Sequence, residues 1–332
     1  MRMAISEASK SLGQTSPNPA VGAVIVKNER ILAKGHHLAA GKPHAEIEAL
    51  RKLTKEQQKG ATLYVTLEPC CSYGRTPPCT DAIINAGITR VVYGATDPDK
   101  RHRGRASKIL QKAGIMVLKS VLESECSLLN AHWNHRVQNS LPWVIAKAGM
   151  SLDGRIDSPP RRRWITSAAS RIESMRLRAS VDAILVGGNT VRTDNPSLTI
   201  RGIKSALKQR QPWRVIWSRS GILPKKTKLF TDKYRDRTLL FKGTTLRKVL
   251  RELAKRGVSS LLIEGGGKTL GEAFARQLVD EVRFFIAPVI QGGSIPTVDS
   301  RGFSSKMPAA QLTDLSYKKI GSDLMISGKV LK

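Results

Sequence analysis

Apolar and β-branched residues come in short blocks divided by glycine, proline and charged clusters, and the blocks alternate between helical and strand periods. Residues 3–12 set Met3, Ile5, Ala8 and Leu12 near one helical face, and the run Thr15-Ser16-Pro17-Asn18-Pro19 ends it. Residues 20–26 and 30–35 are strand-like, and Asn28-Glu29 between them predicts a hairpin. A helix is expected over 44–53, with Pro43 just ahead, so that His44 and Glu46 fall in its first turn. Residues 61–67 read as a buried strand, 80–86 as a helix opened by Cys79, and 90–95 as another buried strand. This alternation predicts one mixed α/β sheet covered by helices.

Residues 120–142 are polar, end in Ser140-Leu141-Pro142, and are expected to link a first domain at 1–142 to a second at 143–332. The second half opens with an apolar strand at 143–147 and a turn at 151–155. A helix at 170–179 follows the basic loop 159–163. Residues 182–188 and 261–270 repeat one scheme: a buried strand that runs into glycines. Such glycines let backbone amides approach a pyrophosphate at a helix N-terminus. They also serve ligand-free tight turns, and neither a Walker loop nor a Gly-x-Gly-x-x-Gly fingerprint is present.

With 332 residues, 40% of them hydrophobic, the chain can build two cores. No apolar run is long enough for a membrane span and the first residues lack the apolar core of a signal peptide, so a cytoplasmic protein without a membrane partner is expected. The formal charge is +30, and residues 201–260 hold 18 Lys/Arg against 3 Asp/Glu. That field attracts polyanions, yet 5% aromatics leave little stacking surface for single strands. Phosphorylated small molecules fit the charge as well, and no specific nucleic-acid partner is expected.

Four cysteines in a chain of this length do not make a disulfide framework; beside histidine they point to metal. His44, Cys70 and Cys79 supply one imidazole and two thiolates, a zinc set that leaves a fourth position for water. Glu46, two residues past His44, is placed to carry protons between that water and a leaving amine. His-x-Glu followed by Pro-Cys is the pattern of zinc nucleobase deaminases, but eight residues separate Cys70 from Cys79 where Pro-Cys-x-x-Cys has two. His102, His132 and His135 have no partner at ligand spacing and receive no role.

Several motifs together resemble the bifunctional deaminase and reductase family of riboflavin biosynthesis over nearly the whole length. They include Ser16-Pro17-Asn18-Pro19, Pro43-His44-Ala45-Glu46, Glu68-Pro69-Cys70 through Cys79, Ser151-Leu152-Asp153-Gly154-Arg155, Trp164-Ile165-Thr166, Asp194-Asn195-Pro196-Ser197-Leu198-Thr199 and Glu264-Gly265-Gly266. The resemblance implies a cytidine-deaminase-like domain followed by a reductase domain shaped like dihydrofolate reductase. It implies a phosphorylated pyrimidine substrate, one Zn2+ and NADPH. By the same resemblance Met150, Trp164, Thr190, Asp194, Ser218 and Gly266 would contact NADPH. Asn18 in the deaminase half, with Arg162, Arg178, Leu198, Arg201 and Glu264 in the reductase half, would face substrate, and Lys147 and Glu264 would handle protons in the reductase. A homo-oligomer is the expected assembly.

The chain also departs from the family pattern. Ser72 stands where a histidine is usual, Asp99-Lys100 where Asn-Pro is, Arg162 where a serine is, and Trp217 where an aspartate is. These departures leave, beside the bifunctional enzyme, the same fold with one activity lost, as a degenerate binding protein; the +30 charge leaves a nucleic-acid deaminase as a second alternative.

Overall fold

The computed structural model describes residues 1–73, 77–157, 164–203, 210–300 and 309–331. Its contacts divide the chain into two compact units, Met1–Ser140 and Leu141–Lys332.

In the first unit, α1 (Arg2–Ser9) leads into the antiparallel hairpin β1 (Gly22–Lys27) and β2 (Arg30–His36). Then come α2 (Ala45–Leu50), α3 (Lys55–Gln58), β3 (Thr62–Leu67), α4 (Cys79–Asn85), β4 (Arg90–Ala95), α5 (Arg105–Lys112) and β5 (Met116–Leu118). The strands form a mixed sheet in the order β2-β1-β3-β4-β5, antiparallel as far as β3 and parallel from there. Ala23, Ile25, Leu63, Val65 and Val91 share a core with Ala45, Ala49 and Ile83 of the covering helices. Helix α2 is shorter than the apolar pattern suggests, and His44 stands at its N-cap in extended backbone rather than inside its first turn.

The segment expected to be a linker is folded. It contains α6 (Glu123–Leu129) and α7 (Ala131–Asn139). Cys126, 1% exposed, packs so closely on β4 that a Cβ at Gly94 would overlap its sulfur. At the junction of the two helices, Asn130 Oδ1 accepts from Ala20 N at 2.8 Å and its Nδ2 donates to Ala20 O at 2.9 Å. The side chain thus satisfies both backbone groups of a residue that enters β1. Helix α7 contributes no buried residue, so no apolar stripe announces it.

The second unit is built on a sheet of β6 (Trp143–Ser151), β7 (Ala183–Gly187), β8 (Trp213–Ser218), β9 (Thr238–Lys242), β10 (Ser260–Ile263), β11 (Glu281–Ala287), β12 (Leu312–Ile320) and β13 (Asp323–Val330), ordered β12-β13-β11-β6-β10-β7-β8-β9. From β11 to β9 neighbouring strands are parallel; β13 and β12 join antiparallel. Successive side chains of a strand face opposite sides, and the two cores follow that rule. Val144, Ala183, Leu185, Val215 and Leu261 lie in one cluster, with Leu246, Val249, Leu250 and Leu253 of α11 (Leu246–Lys255) and Leu270 of α12 (Gly267–Ala275). Ile145, Ile184, Val186, Ile216 and Leu262 face the other way, toward Leu177 of α8 (Ala168–Ala179), Val191 of α9 (Gly188–Asp194) and Leu229 of α10 (Lys228–Thr231).

Candidate active sites

Three backbone turns bring the metal-type side chains of the first unit together. His44 is fixed by the N-cap of α2, Cys70 follows the end of β3, and Cys79 is the first residue of α4. Cys79 N donates to Cys70 Sγ at 3.2 Å, and Thr80 N to Cys70 O at the same distance. Backbone N–H groups at a helix start favour a thiolate there. His44 Nδ1 lies 3.3 Å from Cys79 Sγ and 3.4 Å from Cys70 Sγ, and the three ligand atoms all fall within 4.8 Å of one another. Tetrahedral zinc, with bonds of about 2.0–2.3 Å, spaces its ligands by roughly 3.3–3.8 Å. The triad therefore fits the ion. Hydrogen bonding to Cys79 and His44 outweighs burial and holds the Cys70 thiol below its ordinary range.

Glu46 is 3% exposed. Burial, reinforced by the negative charge of Cys70, raises its carboxyl pKa, the shift that suits a proton carrier. Asn18 Nδ2 meets His37 Nε2 at 3.1 Å, while His37 Nδ1 faces Pro43 O at 2.9 Å. The carbonyl can only accept, so Nδ1 carries the proton and Nε2 accepts from the amide. Burial lowers the His37 pKa and keeps the ring neutral. The ring packs edge-on against His44, with centroids 5.4 Å apart.

In the second unit, the residues expected to contact a dinucleotide collect beyond the carboxyl ends of parallel strands, where open α/β sheets bind ligands. Met150 lies near the end of β6, Thr190 and Asp194 in α9 after β7, Ser218 at the end of β8, and Gly266 between β10 and α12. Gly266 caps α12 without a side-chain bond, and a Cβ on it would come no closer than 3.6 Å to Thr190 Oγ1. An open helix start beside a small hydroxyl fits a phosphate group. Ser218 is buried and accepts from Gly221 N at 3.1 Å, Asp194 is exposed, and Trp164 is stacked by Arg171 at 5.2 Å.

A charged cluster lies alongside. Arg178 Nε and Nη2 donate to the two oxygens of Glu264 at 2.8 and 2.7 Å, and its Nη1 donates to Thr199 O at 3.0 Å. Burial alone would raise the Glu264 pKa; the charges of Arg178 and Lys147 outweigh it and hold the carboxyl at about 2. Burial lowers the Lys147 pKa, against an opposing pull from Glu264. Leu198 is 2% exposed with φ of 50°, so its side chain belongs to the core and its backbone is the part able to meet a ligand. Arg201 is exposed, and Arg162 lies outside the described residues.

A family model for the cytidine and deoxycytidylate deaminase zinc-binding region matches residues 1–95, and one for the RibD C-terminal domain matches residues 142–326. The riboflavin biosynthesis protein RibD of Synechocystis is 40% identical over 99% of this chain and 95% of its own. The chain belongs to the RibD family. A solved RibD structure from Acinetobacter baumannii superposes with a TM-score of 0.91 at 31% identity, over 99% of this chain and 97% of that one. A Thermotoga maritima structure described as a diaminohydroxyphosphoribosylaminopyrimidine deaminase/5-amino-6-(5-phosphoribosylamino)uracil reductase matches at 0.86 and 34%, over 100% and 97%.

RibD membership bears out the α/β fold of both domains and the pairing of a zinc deaminase with a reductase, whose cofactor is NADPH. Against that pattern, the departures of this chain have local partners. Trp217 donates from Nε1 to Thr244 O at 2.9 Å and packs on a core, and Asp99 is held at about 2 by hydrogen bonds to Arg101. Two histidines given no role in the sequence have side-chain partners at this site: His37, and His102, whose Nδ1 lies 3.4 Å from Ser72 Oγ and 3.9 Å from Cys71 Sγ. Their partners lie 19 and about 30 residues away, so no motif window holds them.

Proposed function

We propose that this RibD chain carries out both reactions named for its Thermotoga maritima relative. Water replaces the 2-amino group of 2,5-diamino-6-(5-phosphoribosylamino)pyrimidin-4-one with release of ammonia. The ribosyl group of the product is then reduced to ribityl at the expense of NADPH. The observation that carries this reading is the His44, Cys70 and Cys79 triad with buried Glu46 beside it, in one chain with the reductase unit.

Zinc held by the triad would supply a Lewis acid that activates water near neutral pH. Glu46 would take the proton from the attacking water and deliver it to the amino nitrogen as the C–N bond breaks. With Nδ2 of Asn18 engaged by His37, its Oδ1 is the atom left to accept from the pyrimidine. NADPH would supply the hydride. Around it, Met150, Trp164, Thr190, Asp194, Ser218 and the α12 start at Gly266 would hold the dinucleotide. Arg178, Arg201 and the backbone of Leu198 would hold the substrate, with Glu264 keeping Arg178 oriented. Of Lys147 and Glu264, burial lowers the Lys147 pKa, the direction that proton transfer needs, whereas Arg178 and Lys147 keep Glu264 ionised. Cys70, Cys71, Cys79 and Cys126 are all free thiols, which suits a reducing cytoplasm. No helix among the described residues is long and apolar enough to cross a membrane. We further propose a homo-oligomer, to be read from its mass by light scattering. The activity test is ammonia release and NADPH oxidation from the diaminopyrimidinone phosphate; a zinc-loaded protein that fails either reaction refutes the reading.

A further inference from the structure

Glu68 stands two residues before the metal ligand Cys70 and is 3% exposed, a position where a lone carboxylate would be costly. Three backbone N–H groups satisfy it: Asp97 at 3.3 Å and Gly104 at 3.0 Å on Oε2, and Ala106 at 3.2 Å on Oε1. The segment between β4 and α5 is thereby tied at both ends to the strand end that carries the zinc ligand. Inside it, Asp97 Oδ1 accepts from Asp99 N at 2.8 Å, and Asp99 O accepts from His102 N and Arg103 N, each at 2.9 Å. His102 is half-buried. Its Nδ1 is turned toward Ser72 Oγ and Cys71 Sγ, the two residues that directly follow Cys70, so Nε2 points away from them. Lys100, Arg101, Arg103 and Arg105 flank it, and all four are exposed. The segment thus presents one anchored imidazole within a strongly positive stretch next to the metal triad.

We infer that His102 is a substrate-binding residue of the deaminase centre, donating from Nε2 to the substrate's phosphate. This rests on the deaminase reading above. With the pyrimidine at the metal, the phosphoribosyl arm must leave along the loops that border the triad, and Cys71, Ser72 and His102 form such a border. Glu68 is then a positioning residue: its three accepted bonds set where His102 stands.

The test uses the zinc-loaded full chain as wild type, His102→Ala and His102→Gln, with the diaminopyrimidinone phosphate and its dephosphorylated counterpart. A charge-assisted bond to phosphate corresponds to a rise in deaminase KM of about ten-fold or more for His102→Ala with the phosphorylated substrate. The inference requires unchanged zinc content, kcat near wild type, no effect on KM for the dephosphorylated compound, and partial recovery in His102→Gln, which keeps an N–H donor. An unchanged KM, an equal rise for both compounds, or loss of zinc in both variants would overturn it. Wild-type protein that releases no ammonia refutes the deaminase reading itself, and the inference falls with it.

Discussion

The side-chain amide of Asn18 is held by the ring of His37, Nδ2 to Nε2 at 3.1 Å, and that ring rests edge-on against the zinc-type ligand His44. His37 can serve only while neutral, because a second ring proton would face the amide protons of Asn18. Replacing His37 with alanine removes the hydrogen bond that holds Asn18, about 1 kcal/mol, along with the one to Pro43 O, and loosens Asn18. Deaminase kcat/KM is expected to fall about five-fold or more, with reductase turnover unchanged. Steady-state kinetics on both reactions checks this, and an unaffected deaminase would show that Asn18 needs no support.

Glu46→Gln removes the proton carrier and leaves the three ligands in place. Ammonia release should drop by about 10²–10⁴-fold, as for loss of a general acid-base group. Zinc measured by atomic absorption should stay near the wild-type level. Cys79→Ala, by contrast, should lose both the metal and the activity.

Glu264 gives the reductase unit a pH dependence. Its folded pKa, about 2, lies below the unfolded value of 4.5, so the stability it contributes is complete above about 4.5. That stability is lost as pH falls from there through about 2, the window in which the unfolded chain takes up the proton first. Acid titration followed by fluorescence should therefore show a flatter stability curve across this window for Glu264→Gln. An identical slope in the two proteins would contradict the pairing with Arg178.

Arg214, 1% exposed, spends its donors on Asp232, Ser197 O, Leu229 O and Thr238 Oγ1, and so pins the chain just before Leu198 and Thr199. Asp232→Ala would leave a buried guanidinium without its counter-charge. A cost of about 2–4 kcal/mol follows, at or below the usual range for a broken buried pair because Asp232 is partly exposed. Heat inactivation of the reductase should shift down by about 5–10 °C, and unchanged inactivation would mean that solvent replaces the carboxylate.

The parts of this molecule readable from sequence are those whose physics is local. Short continuous runs of apolar and β-branched residues placed β1, β3, β4 and β7 to within two residues at each end, because each strand is buried along most of its length. His44, Glu46, Cys70 and Cys79 were legible because metal chemistry restricts both residue type and spacing. Helices α6 and α7 were not legible: α6 has one fully buried side chain, Cys126, and α7 has none, its Trp133 packing only part-buried on the core. His37, Glu68 and His102 act on neighbours that the fold, not the sequence, makes adjacent. The same holds for the Arg178 to Glu264 pair, 86 residues apart, whose mutual neutralisation bears on which of Lys147 and Glu264 can move a proton.

The most direct measurement is a two-stage assay on purified, zinc-loaded protein supplied with the diaminopyrimidinone phosphate. Ammonia is followed first without NADPH, and loss of NADPH absorbance is followed once the cofactor is added. The bifunctional account predicts both signals, in that order, with the second dependent on product of the first. Ammonia without NADPH oxidation, or silence in both stages, would contradict it.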